Sequence, residues 1–96
     1  MSAKLSTDER QKALTKLTEW QHDPVSDKIT RDFRFGDFSE AFPFMTRIAF
    51  LAEAANHHPD WSNSYNTVTI GLTSHSAGGL TERDIDLATK IDALFG

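Results

Sequence analysis

Cysteine is absent from the 96-residue chain. That one absence removes a disulfide scaffold, a thiolate metal site, an iron–sulfur cluster and a cysteine nucleophile. Long apolar runs are missing too, since no stretch approaches the roughly 18 residues that cross a bilayer. The opening segment, from Lys4 through Ser6, Thr7, Asp8, Glu9 and Arg10, turns polar where a signal peptide needs an apolar core. A cytoplasmic address without membrane engagement is therefore expected. Positive charge is not in excess: 10 Lys+Arg stand against 14 Asp+Glu, for a formal charge of −4. That balance offers no electrostatic footprint for phosphates, and no direct nucleic-acid binding is expected. The 5 glycines and 3 prolines are not gathered into a linker, repeat or low-complexity tract, so residues 1–96 are expected to form one domain, a length that a single core accommodates. Gly78-Gly79 is followed by no Lys-Ser/Thr, no G-x-G-x-x-G is present, and Ser62, Ser74 and Ser76 lack a nucleophile-elbow context. What remains, 39% hydrophobic and 25% charged residues, is the composition of an ordinary globule whose small core makes self-association a natural source of further burial.

Periodicity divides the chain into seven elements. Ser6 or Thr7 can cap a short amphipathic helix carrying Ala13, Leu14 and Leu17 on one face. Glu19 to His22, the Asp23-Pro24 turn and Lys28 to Phe35 read as a hairpin, with Ile29, Arg31, Phe33 and Phe35 on one side of its second strand. Asp37 followed by Glu40 has the spacing of a capping box opening a long helix that runs to about Asn56. Its apolar residues, Phe38, Ala41, Phe42, Phe44, Met45, Ile48, Ala49, Leu51, Ala52 and Ala55, fill an arc of about 180° expected to cover a sheet. Phe50 falls on the opposite arc, where a monomer presents polar groups. Pro43, a turn inside, is expected to bend or delay the first turn. Asp60 to Tyr65 and Asn66 to His75 alternate as two more strands, and Thr81 with Asp84 starts a last helix with Ile85, Ala88, Ile91, Leu94 and Phe95 inward. The order αββαββα implies an α+β fold, one four-stranded antiparallel sheet with three helices on one face.

Three of the four histidines, His57, His58 and His75, fall within nineteen residues, and imidazole is the side chain that exchanges protons near neutrality. Glu53 stands four residues before His57 and could orient it, though an ordinary surface pair has the same spacing. A histidine-only metal site is disfavoured, because adjacent His57 and His58 diverge on either a helix or a strand and no His-x-x-x-His element is present. Asp84 is accounted for by capping alone. Trp20 and Trp61 can stack on a flat ring or simply pack in the core.

Glu53-x-x-x-His57-His58-Pro59-Asp60-Trp61, then Tyr65-Asn66, Ser74-His75 and Gly79-Leu80-Thr81-x-x-Asp84, resembles the pterin-4a-carbinolamine dehydratases, over nearly the whole chain from Trp20 to Ala88. The resemblance implies a lyase that dehydrates 4a-hydroxytetrahydropterin, such as 4a-hydroxytetrahydrobiopterin, to the quinonoid dihydropterin. It would act downstream of an aromatic amino-acid hydroxylase, with no metal and no organic cofactor. It assigns acid/base roles to His57 and His75, supported by Glu53, and places His58, Pro59, Trp20 and Asp84 at the pterin. It also implies a homotetramer, and as an alternative function a protein-binding role as dimerisation cofactor of a homeodomain transcription factor through the long helix. Ser74 stands where that motif usually has Thr, and Pro43 interrupts the long helix; neither departure is expected to touch the chemistry.

Overall fold

A computed structural model describes residues 3–96. Helix α1 (Thr7–Leu14) is followed by β1 (Gln21–Asp23), β2 (Lys28–Arg34), the long α2 (Phe38–Ala55), β3 (Asp60–Ser64), β4 (Thr67–Leu72), a single 3₁₀ turn at His75–Ala77 and α3 (Glu82–Phe95). The strands form one antiparallel sheet in the order β1-β2-β4-β3. Strand β4 therefore lies between β2 and β3, which run parallel and are joined by α2. The expected α+β order and the four-stranded sheet with its helices are what the chain adopts.

Register explains the two faces. Ile29 pairs with Leu72, Arg31 with Ile70 and Phe33 with Val68, so one row of side chains enters the core. There Ile29, Phe33, Val68 and Ile70 are fully buried, each burial contributing about 1.5–3 kcal/mol. The opposite row is mostly polar, and Asp32, Arg34, Ser62 and Ser64 in it are exposed. Arg31 is the charged member of the core row. Its guanidinium lies 4.4 Å from the Phe33 ring centroid and donates to Asp92 Oδ1 of α3 at 2.7 Å, which balances the charge inside.

Helix caps follow the sequence with one change. Ser6 closes a capping box with Glu9, and Thr81 closes one with Asp84. Asp37 caps α2 by accepting from the Glu40 amide at 3.0 Å. The Glu40 carboxylate, however, reaches one residue further back, to the Gly36 amide at 2.7 Å. Pro43 does not delay the start of α2, which begins at Phe38 as its cap dictates. The apolar arc of α2 is wider than the sheet can cover: Ala41, Phe44, Ile48 and Ala52 are buried, while Phe38, Phe42, Ala49 and Ala55 of the same expected face are exposed. A helix lying on a sheet uses an arc of about 100°, and the surplus stays outside. Among the described residues no helix is long and apolar enough to cross a membrane.

Candidate active site

Helix α2 ends at Asn56, whose left-handed backbone (φ 49°, ψ 44°) stops the helical path. Asn tolerates that conformation better than most residues. Arg83 of α3 donates its Nη2 to the Ala55 carbonyl at 3.1 Å and to the carbonyl of Asn56, supplying the positive charge that the last turn of α2 lacks. The chain then folds back, with the His57 amide bonded to the Ala52 carbonyl at 3.0 Å. This turns the His57 ring inward.

There the ring meets Asp84. His57 Nε2 lies 2.5 Å from Asp84 Oδ1, and Asp84 has no exposure at all. The other carboxylate oxygen accepts from Ser74 Oγ at 2.7 Å and from the Thr81 amide at 2.9 Å. Position in the first turn of α3 adds favourable interaction with the helix dipole. Because a carboxylate accepts, the proton of the neutral imidazole sits on Nε2 and Nδ1 carries the lone pair. Among the described residues no buried side-chain nitrogen or oxygen lacks a partner. His57 Nδ1, which makes no hydrogen bond among them, is therefore not sealed off and is the ring nitrogen left without a partner.

His58 points elsewhere. Its Nε2 is 2.8 Å from Glu53 Oε1 on the surface. The expected pairing of Glu53 with His57 is thus corrected: an i,i+4 contact needs a continuous helix, and Asn56 breaks the helix between the two. Glu53, His58 and Pro59 line an apolar groove of about 360 Å³ between α2 and β3, together with Ala49, Phe50, Ala52 and Trp61.

His75 is corrected in its setting. Pairing ends at Leu72, opposite Ile29, so the strand stops short. A bridge between Ser74 and Gly79 closes the following loop, and His75 opens the 3₁₀ turn on it. Its side chain is 80% exposed, with Nε2 3.6 Å from Asp60 Oδ2. The groove beside His58 is not lined by His57 or His75. One acidic residue next to Pro59 links His75 to the His57–His58 segment.

Trp20 lies in the core at 6% exposure, its Nε1 donating to Asp92 Oδ1 at 2.9 Å and its ring edge-on to Phe33. Capping read from Thr81-x-x-Asp84 hid the second duty of Asp84, because both duties use the same carboxylate. Ser74, set aside as a neutral departure, is a ligand of that carboxylate, and any hydroxyl at this position supplies the same bond. Phe50, from the arc of α2 expected to be polar, and Trp61, expected to stack on a flat ring or pack in the core, share one groove. Among the described residues no three His, Asp or Glu side chains converge as metal ligands.

The Pterin 4 alpha carbinolamine dehydratase family profile matches residues 3–94. The chain belongs to that family, which is one of lyases. A protein of Rhodopseudomonas palustris (strain HaA2), provisionally named pterin-4-alpha-carbinolamine dehydratase, is 51% identical over 96 residues, covering 100% of this chain and 95% of its own. A crystal structure described as a transcriptional coactivator/pterin dehydratase from Brucella melitensis superposes with a TM-score of 0.92 at 45% identity, covering 97% of this chain and 99% of that one. A pterin dehydratase-like protein described as a RuBisCO assembly factor of the alpha-carboxysome superposes at 0.72 and 25% identity, over 81% of this chain and 90% of that one.

Proposed function

We propose that the protein dehydrates 4a-hydroxytetrahydropterins by histidine acid/base catalysis, without a metal or organic cofactor, in the recycling of tetrahydrobiopterin in the cytoplasm. The observation that carries this reading is the His57–Asp84 pair with Nδ1 left open. In the reaction the C4a–O bond breaks, the hydroxyl leaves as water with a proton from an acid, N5 loses its proton to a base, and a C4a=N5 double bond forms. His57 Nδ1 is suited to the base step, because Asp84 holds the ring in the required tautomer and stabilises the imidazolium that results. His75, exposed on its loop, is suited to the acid step. Neither His57 nor His75 lines the groove, which adjoins His57 through His58 and Pro59, so the pterin would extend from it toward the imidazoles. Phe50 and Trp61 offer ring faces, His58 with Glu53 offers polar contacts, and its size is at the lower end of small-molecule sites. Wild-type protein is expected to accelerate formation of the quinonoid dihydropterin from synthetic 4a-hydroxytetrahydropterin, at a rate unchanged by a metal chelator. Absence of acceleration, or its loss with chelator, would overturn the reading.

A homo-oligomer, the tetramer implied by the family resemblance, is part of the same proposal and rests on the surplus apolar arc. Phe42, on that arc, is 54% exposed, and Phe50, on the opposite arc beside the groove, is 71% exposed; among the described residues neither is covered. A partner of another kind, as the coactivator description of the Brucella protein suggests, would use the same face. Phe50→Asp is expected to lower the oligomeric state in sedimentation, since burying an unpaired carboxylate is costly. A wild type that sediments as a monomer at micromolar concentration would refute the assembly.

A further inference from the structure

A second histidine–aspartate pair lies outside the site. Asp27, at the left-handed turn between β1 and β2 (φ 51°), is 6% exposed. Its Oδ1 lies 2.7 Å from His22 Nε2 and 3.7 Å from Arg10 Nη1. Burial raises the affinity of this carboxyl for a proton, but the hydrogen bonds from His22 and the Leu80 amide and the Arg10 charge outweigh it, leaving the group below the ordinary carboxylate range.

What Asp27 holds is the loop of His75. Its carbonyl accepts from Thr73 Oγ1 at 2.9 Å, two residues before His75. Its Oδ2 accepts from the Leu80 amide at 3.0 Å, five residues after. Between these two anchors the loop is closed by the backbone bonds of Ser74 with Gly79, of Ala77 to Ser74 and of Gly78 to His75, and Ser74 Oγ also ties it to Asp84. Gly79 packs so closely that a Cβ there would stand 2.3 Å from Asp27 Oδ2. Among the described residues the one charged partner of the exposed His75 side chain is Asp60 at 3.6 Å, too far for a hydrogen bond. The position of its imidazole is therefore decided by the backbone that carries it, and that backbone is tied at both ends to one residue.

We propose that Asp27 is a positioning residue for the dehydration, fixing through its carboxylate and carbonyl the Thr73–Leu80 loop that presents His75. The proposal rests on the acid/base role of His75 argued above. Asp27→Gly removes the carboxylate while tolerating the positive φ and keeping the carbonyl bonded to Thr73. It is expected to lower kcat by about tenfold to a hundredfold, the scale of a misplaced catalytic group, with KM little changed. Asp27→Asn also tolerates the left-handed turn and keeps an acceptor for Leu80, and is expected to restore kcat to within about threefold of wild type. In a His75→Ala background, Asp27→Gly is expected to cost nothing further, because the group it positions is gone. Gly79→Ala strains the same contact from the loop side and should reproduce the kcat loss, keeping the test open if Asp27→Gly does not fold. If His75→Ala keeps wild-type turnover, the catalytic reading fails. If His75→Ala is slow but Asp27→Gly is not, if Asp27→Asn gives no rescue, or if the losses of Asp27→Gly and His75→Ala multiply, the positioning role of Asp27 is wrong.

Discussion

Replacing both His57 and His75 by alanine is expected to bring turnover down to the rate of the spontaneous dehydration. A general acid or base contributes about 10²–10⁴-fold, and each single substitution should cost a factor in that range. The two losses are not expected to multiply fully, since either imidazole can partly serve the other's step and the uncatalysed reaction sets a floor. The His57 ring is backed by a wholly buried carboxylate, whereas that of His75 stands in water. The measurement is steady-state formation of quinonoid dihydropterin for the wild type, both single variants and the double variant, in one buffer series. A double variant with wild-type turnover would end the histidine mechanism.

Asp84→Ala is expected to have the largest effect on stability. The substitution strips partners from His57 Nε2, Ser74 Oγ and the Thr81 amide together, and does so where Asp84 has no exposure. Leaving a buried donor without its partner costs about 1–3 kcal/mol, so the loss of all three bonds should cost about 3 kcal/mol or more. In a domain of this size each kcal/mol moves the melting temperature by about 4–8 °C, so a drop of about 12 °C or more should appear in calorimetry. Asp84→Asn tests chemistry instead of folding. Its oxygen can stay with Ser74 and Thr81, which turns its NH₂ toward His57 and forces the proton from Nε2 to Nδ1. The lone pair is then lost from the open nitrogen, and turnover should fall by about 10²–10⁴-fold while most of the fold's stability remains. A folded Asp84→Asn protein with wild-type kcat would show that the tautomer of His57 does not matter.

Local chemistry explains why so much of the architecture can be read along the chain. Caps at Ser6, Asp37 and Thr81 and the alternation through Ile29 to Phe33 and Val68 to Leu72 involve neighbours a few residues apart, and each appears in the structure where its pattern lies. The histidines that the family resemblance singles out are likewise sequence features. Their partners were not legible. Glu53 has the right spacing for His57 only if the helix continues, and it ends instead at the left-handed Asn56, where Arg83 of α3 meets the last carbonyls.

Asp84 and Asp27 lie 27 and 53 residues from the groups that give them their additional roles, His57 and the Leu80 amide. No local pattern can encode contacts of that range, because they form only when the sheet order β1-β2-β4-β3 and the packing of α3 bring the segments together. The surplus apolar arc of α2 follows the same logic. The sequence determined that the arc exists, its elements and its candidate histidines; the tertiary structure decided which part of the arc a four-stranded sheet covers, which carboxylate holds which imidazole and which nitrogen is left open. The physical reason is that helices, turns and strands answer to neighbours in the chain, whereas burial and charge pairing answer to neighbours in space.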